Sequence, residues 1–287
     1  MTDSTTSRAV LVTGCSSGIG RATAERLAVA GWTVYATARK PETLADLEAR
    51  GCRTLALDVT DEASMQAAVA AVEGEHGSVG ALVNNAGYSQ SGAIETVPME
   101  KVRAQFETNV FGLVRLCQLV LPGMRRARSG RIVNLSSMGG RLVFPGGGFY
   151  HATKYAVEAI SDALRFEVKG FGVDVILIEP GLIRTEFGTT AAGAVSEAGE
   201  GEGDYAQFNA HVANATEQIY ESGGPIARLG GPPEAVAKVI DKALSAKRPR
   251  ARYTVTPSAK VLIANRAVLP DRAWDALMRQ QFPSPGV

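Results

Sequence analysis

A few side chains in the middle of this sequence have the types and spacing for proton transfer. In FYHATKYAVEAI (149–160), Tyr150 and Lys154 are four residues apart and share one face if the segment is helical. A phenol beside an ammonium is an acid–base pair, because free tyrosine has a pKa of about 10 and a nearby cation favours the phenolate. RIVNLSSMGG (131–140) adds Ser136 and Ser137 at the end of an apolar run, and FETNVFG (106–112) sets Asn109 inside a helical pattern, where asparagine has poor propensity. Each has a plain alternative. Tyr and Lys decorate many helix ends, serines satisfy local backbone at strand ends, and an asparagine can mark a kink or a packed polar contact.

The elements that must position these residues decide between the readings. Short apolar runs rich in β-branched residues lie at 9–13, 33–37, 53–57, 80–83, 131–136 and 173–178. Nearly continuous apolar strands are what a parallel sheet covered on both faces requires. Helical periodicity fills 18–30, 41–49, 61–75, 99–127 and 150–169. Strands alternating with helices predict an α/β fold, a Rossmann-type doubly wound parallel sheet with helices on both faces. Beyond Pro180 the texture changes: residues 188–204 (GTTAAGAVSEAGEGEGD) are small and acidic, too poor in apolar groups to order themselves. Helices at 205–222, 233–246 and 271–281, a loop at 223–233, a strand at 252–256 and apolar content at 261–269 complete the chain. With no long polar linker, residues 1–287 read as a single domain with a flexible substrate-loop insert at about 186–231 and a C-terminal extension at about 247–287.

Bulk properties narrow the function classes. Thirty Lys and Arg against 29 Asp and Glu, a net charge of +1, give no electrostatic reason to expect nucleic acid or an anionic membrane. The basic run AKRPRARY (246–253) is short, broken by proline, and reads as a solvated loop edge. Cys15, Cys52 and Cys117 have neither a disulfide nor a zinc pattern, His76 and His211 lie in unrelated segments, and no catalytic metal is expected. No signal peptide and no apolar run of membrane-spanning length are visible, so the expected location is cytoplasmic.

TGCSSGIG (13–20) directly follows the first strand and opens the first helix. Gly14, Gly18 and Gly20 allow a tight turn and close approach to a pyrophosphate facing the helix N-terminus. The second strand ends at Ala38-Arg39. An acidic residue there would take a free ribose 2′-hydroxyl, whereas the Arg39 guanidinium suits a 2′-phosphate. A solvent-facing arginine at a strand end is the alternative.

The Gly-x3-Gly-x-Gly spacing, NNAG at 84–87 and Tyr-x3-Lys together resemble the short-chain dehydrogenase/reductase family over about residues 8 to 187. Carried onto this sequence, the resemblance implies nucleotide contacts from Gly14, Ser16, Ser17, Gly18, Ile19, Arg39, Asp58, Val59, Asn85, Ala86, Gly87, Tyr150, Lys154, Pro180, Gly181, Ile183 and Thr185. Asp58 would accept from the adenine amino group; Ile183, through its backbone, and Thr185 would reach the nicotinamide carboxamide or phosphates. A basic residue at Arg39 goes with NADP(H) in the family, NAD(H) staying possible. The family's second cation in the glycine loop is replaced here by Ser16 and Ser17, with Arg21 as a candidate substitute.

In the family the catalytic serine stands 13 residues before the tyrosine, so the resemblance implies Ser137 as the catalytic serine and leaves Ser136 to support the backbone. The implied reaction is hydride transfer between NADP(H) and a carbonyl or alcohol. Tyr150 passes the proton, Lys154 lowers its pKa and binds ribose, Ser137 holds the substrate oxygen, and Asn109 completes a relay through water. His151 points about 100° from Tyr150 on a helix and reads as surface or interface packing. GRLVFPGGGFYHATKYAVEAISDALRFEV and the tail LPDRAWDALMRQQF are most similar to the 17β-hydroxysteroid and retinol dehydrogenase branch, which implies a hydrophobic small-molecule substrate. Homodimers or homotetramers paired through 99–127 and 150–169 are implied likewise. Two other readings stand beside this one: a non-catalytic dinucleotide-sensing regulator on the same fold, and an epimerase or dehydratase using the same site.

Overall fold

The computed structural model describes residues 7–185, 203–221 and 229–285, with side chains left out of the description at 216–221. Most of the expected substrate loop, 186–202 and 222–228, lies outside the described residues.

Seven strands form one parallel sheet in the order β3-β2-β1-β4-β5-β6-β7: β1 Ala9–Val12, β2 Thr33–Ala38, β3 Arg53–Ala56, β4 Ala81–Asn84, β5 Gly130–Leu135, β6 Val173–Pro180 and β7 Arg252–Val255. All seven expected runs are strands, shifted by a residue or two at their ends. Val10 pairs with Val34 on one side and Ala81 on the other, so β1 carries the reversal of strand order. In such sheets the crevice for a ligand opens at this reversal, beyond the carboxyl ends.

Side-chain alternation explains why the strands read as unbroken apolar runs. Val10, Val12, Val34 and Val83 face one layer, built with Leu27 of α1 (Gly18–Val29) and Val236 and Ile240 of α8 (Pro233–Ser245). Leu11, Tyr35, Leu82 and Leu177 face the other, against Val69 and Val72 of α3 (Glu62–His76), Leu116 and Val120 of α5 (Gly112–Ala127), and Val157 of α6 (Gly148–Val168). Both faces are dry, so neither needs polar positions. A short α2 (Ala45–Ala49) follows β2, preceded by a 3₁₀ turn at Pro41–Leu44.

The helix expected over 99–127 is interrupted. α4 (Met99–Phe106) runs into a π turn at Glu107–Phe111 before α5 begins. The wider turn carries Asn109 inward, where Nδ2 donates to the Tyr88 carbonyl at 2.8 Å and Oδ1 accepts from the Tyr88 N–H at 3.1 Å. The packed polar contact, one of the alternatives from the sequence, is thus present, set on a π turn. Beyond α7 (Ala206–Glu221), the apolar stretch at 261–269 belongs to a helix, α9 (Pro257–Val268), capped by Thr256 and opened by proline; α10 (Asp271–Arg279) follows. The start of α9 sits on Gly181, whose missing side chain leaves room for Thr256 and Ser258. The C-terminal extension is thereby fixed to the ligand edge.

Gly20, in the first turn of α1, tests how tightly that edge is built. A Cβ there would fall within contact distance of the Gly14 carbonyl and the Asn85 carboxamide. Gly20→Ala is expected to lower stability by about 1–3 kcal/mol, the range for overpacking, seen as a lower urea midpoint at unchanged m value. An unchanged midpoint would mean that the loop gives way freely.

Candidate active site

The phosphate end is a stitch between two loops. Thr13, 1% exposed, follows β1, and its Oγ accepts from the N–H groups of Asn85 and Ala86, each at 2.9 Å. Asn85 returns the contact, its Nδ2 donating to the carbonyls of Thr13 at 2.9 Å and Gly14 at 3.1 Å. Gly14 turns with φ +70°, and a Cβ on it would lie 3.0 Å from the Ala86 Cα. Ser17 caps α1 with extended backbone but makes no side-chain cap, and the first turn holds no acidic residue. The leading N–H groups of α1 thus face neither a Ser17 side-chain cap nor an acidic residue in the first turn. Thr185 approaches Gly18, whose φ is +56°, so the segment beyond β6 meets the same loop. Ile183, buried, bridges to Gly231. This is a cradle that side chains would fill, and it fits a dinucleotide.

Just past the end of β2, Arg39 is exposed and makes no ion pair among the described residues; its charge acts on the phenol of Tyr88, opposing the upward shift that burial gives it. Asp58 is half-buried and its Oδ1 accepts from the Thr60 N–H at 2.9 Å and hydroxyl at 2.7 Å, which shapes the turn beyond β3. Val59 is buried with its carbonyl against Gly112. Arg21 does not replace the missing cation. It pairs with Asp46, sits 3.8 Å from Glu25, and donates to the Ser16 carbonyl at 3.2 Å. It braces the glycine loop from outside.

At the chemistry end Ser137 begins a 3₁₀ turn, Met138–Gly140, and its Oγ accepts from the Gly139 N–H at 3.0 Å. The same hydroxyl bonds Tyr150, which lowers the phenol's pKa, but burial outweighs this and holds it up at about 12. Lys154, 7% exposed, donates from Nζ to the Leu135 carbonyl at 2.8 Å and lies 5.7 Å from the centre of the Tyr150 ring. Burial moves its ammonium down to about 8, while the negative charge of Glu158 works against that shift. Ser136 points the other way: a Cβ on Gly140 would meet its Oγ at 2.7 Å and the Glu158 Cγ at 2.9 Å. Of the two serines, Ser137 is the one bonded to Tyr150. Asn109 reaches this group through Thr153: Nδ2 donates to Thr153 Oγ at 3.2 Å, and that hydroxyl donates to the Tyr150 carbonyl at 2.7 Å.

His151 overturns its sequence reading. It is 6% exposed, with both ring nitrogens bonded to backbone within the same chain, so it is neither surface nor interface. The helical angle relative to Tyr150 was right, but the turn between β5 and α6 folds back over that side. Thr13, Tyr88, Thr153 and Glu158 were also passed over. Thr13 adjoins the glycine loop and Tyr88 follows NNAG, which are usable signals; Thr153 and Glu158 carry none beyond their place on the helix of Tyr150.

The comparisons with known proteins agree with this geometry. The profile of the family described as short chain dehydrogenase matches residues 8–194. A 3-ketodihydrosphingosine reductase from Bacteroides thetaiotaomicron is 38% identical over 94% of this chain and 96% of its own length. An NADPH-dependent 3-dehydrocapnine reductase from Ornithobacterium rhinotracheale is 37% identical over 94% of this chain and 95% of its own. Among solved structures, a short-chain dehydrogenase from Streptomyces avermitilis superposes with a TM-score of 0.77 at 36% identity, covering 94% of each chain. A family match running from the first strand past the last motif, with reductases aligned over nearly their whole length, leaves one assignment: this chain belongs to the short-chain dehydrogenase/reductase family and is an oxidoreductase of CH–OH and C=O groups.

Proposed function

We propose that this protein is an NADP(H)-dependent reductase of a hydrophobic ketone, running the reverse oxidation of the alcohol through the same groups. The observation that carries the reading is the hydrogen-bonded pair of Ser137 and Tyr150, with the Lys154 ammonium 5.7 Å from the Tyr150 ring, at the sheet edge where the glycine cradle opens. When bound, the nucleotide supplies or accepts the hydride and, oxidised, adds a positive charge beside the phenol. Gly14, Ser16, Ser17, Gly18 and Ile19 would hold its phosphates, Asp58, Val59, Asn85, Ala86 and Gly87 its adenosine side, and Lys154, Pro180, Gly181, Ile183 and Thr185 its nicotinamide end. NADP(H) over NAD(H) is supported by exposed Arg39 at the end of β2 and by the NADPH dependence in the name of the Ornithobacterium relative.

A phenol held at about 12 keeps its proton at neutral pH and is set up as an acid. In reduction Tyr150 gives that proton to the oxygen gaining charge, while the Ser137 hydroxyl donates to the same oxygen. Lys154 balances the phenolate left behind and, at about 8, is itself able to hand on a proton near neutrality. Asn109 holds the Tyr88 backbone and Thr153 at the inner end of that relay.

A hydrophobic substrate is supported by exposed apolar side chains beside the start of α6. Ile94, 61% exposed, lies against Gly148, and Val143, 43% exposed, projects from the turn before α6. Both relatives named above reduce a carbonyl that their names place at carbon 3. We read the chain as one domain built on one sheet, assembled as a homodimer or homotetramer through α4, α5 and α6, where Phe111, Tyr155 and Phe166 are exposed. The three cysteines are free and buried, and no described helix is long and apolar enough to cross a membrane; a cytoplasmic enzyme fits these features.

Tyr150→Phe is expected to lower turnover of a ketone panel by about 100-fold or more, the scale of a lost general acid, while NADPH binding by fluorescence titration stays intact. Wild-type turnover in that variant would sink the mechanism. Arg39→Asp is expected to shift the NADPH-to-NADH ratio of kcat/KM about 10- to 100-fold toward NADH, as for a lost charge-assisted contact. A ratio that stays put would remove Arg39 from phosphate reading.

A further inference from the structure

His151 follows Tyr150 directly, yet takes no part in the proton chemistry above. Its ring fills space that two glycines vacate. A Cβ on Gly139 would lie 2.5 Å from Nδ1, and one on Gly147 would lie 2.8 Å from Nε2. Nδ1 is 3.0 Å from the Gly139 carbonyl, and Nε2 accepts from the Phe144 N–H at 3.2 Å. A carbonyl only accepts and a backbone N–H only donates, so the ring is neutral with its proton on Nδ1. Burial keeps it neutral, moving the imidazole down to about 4. That rules His151 out as the acid or base and leaves it a mechanical role.

The next link is Gly139 itself. On one side of its Cα the carbonyl is held by His151; on the other the N–H donates to Ser137 Oγ at 3.0 Å. The N–H shares its peptide plane with the Met138 carbonyl, which accepts from the N–H groups of Arg141 at 2.9 Å and Leu142 at 3.2 Å. The freely rotating Gly139 Cα joins that plane to the one His151 holds, so the aim of the N–H depends on both. With one lone pair of Oγ taken by that N–H, the serine proton is directed away from the 3₁₀ turn, toward the side where Ser137 bonds Tyr150. The second bond ties Phe144, whose ring lies 5.9 Å from His151, to the first turn of α6.

We propose that His151 is the positioning residue of Ser137: by pinning the Gly139 carbonyl it sets the direction of the serine hydroxyl. The inference rests on the reading of Ser137 as the donor to the substrate oxygen. Its test is a set of variants of the full chain, assayed with NADPH on ketones and NADP⁺ on alcohols, with thermal unfolding alongside. Asparagine can place its amide nitrogen where Nδ1 donates, glutamine its amide oxygen where Nε2 accepts, and leucine matches asparagine in shape without a donor.

His151→Leu and His151→Gln are expected to lose about 10- to 100-fold in kcat, as for a misplaced reacting group, with KM for NADPH changed less than about twofold. His151→Asn is expected to stay within about threefold of wild type because the Gly139 bond survives. Leu and Asn falling equally, or neither falling, while Ser137→Ala is inactive, overturns this inference and leaves the reading of Ser137 standing. Should His151→Leu fail to fold, the Asn and Gln pair gives the same decision. Wild-type turnover in Ser137→Ala, or no turnover of any ketone or alcohol by the wild type, overturns both.

Discussion

Where the strand order of a parallel sheet reverses, two neighbouring chains leave the sheet in opposite directions, and their backbone groups lose the partners a continuing ladder would give. This structure meets that demand with Thr13 and Asn85. One hydroxyl accepts from two consecutive N–H groups, and one carboxamide donates to two consecutive carbonyls. A buried donor or acceptor without a partner costs about 1–3 kcal/mol, so the stitch has a strong reason to stay closed. It also forces the glycine loop and the NNAG turn into contact, which defines the floor of the cleft. From there the contacts run on without a gap: the Tyr88 backbone is clasped by Asn109, Asn109 reaches Thr153, and Thr153 bonds the carbonyl of Tyr150. The glycine loop and Tyr150 are thus joined by hydrogen bonds and the short run of main chain from Ala86 to Tyr88.

Much of this was readable before any coordinates, for physical reasons. A sheet buried on both faces leaves few polar positions within its strands, so polar and glycine residues stand out where each strand stops. Gly14, Arg39, Asp58, Asn85, Ser137 and Gly181 all fall at such stops, and the topology carries them to one edge. Tyr150 and Lys154 needed only helical spacing to share a face. The choice between Ser136 and Ser137 came from resemblance; the strand pleat turns the first toward Glu158 and the second toward Tyr150.

What escaped was set by elements that do not announce what they touch. Helical angle describes His151 relative to its own helix and says nothing of the turn that folds over it. Arg21 had the right charge in the right motif, but Asp46, 25 residues away, neutralises it from α2. In the C-terminal extension the strand at 252–256 and the helix at 271–281 are legible, but 261–269 shows only apolar content, which serves α9 as well as it would a strand. There Trp274 and Met278 pack on Leu142, with Phe144 and Ile263 beside them, so the turn carrying Phe144 is backed by the far end of the chain.

The π turn at Glu107–Phe111 has a bearing on how such a chain can change over generations. One extra residue in an ordinary helix would advance everything beyond it by about 100° of phase, and the wider π turn absorbs that residue. α4 and α5 therefore behave as two rods with separately set faces, joined at the residue that reaches inward. Losing one residue there would let the wide turn close to an ordinary one: α5 could keep its apolar stripe on the sheet, while Asn109 would lose the place from which it reaches Tyr88 and Thr153. A substitution in this turn changes one side chain, whereas a deletion takes the turn and its inward reach together.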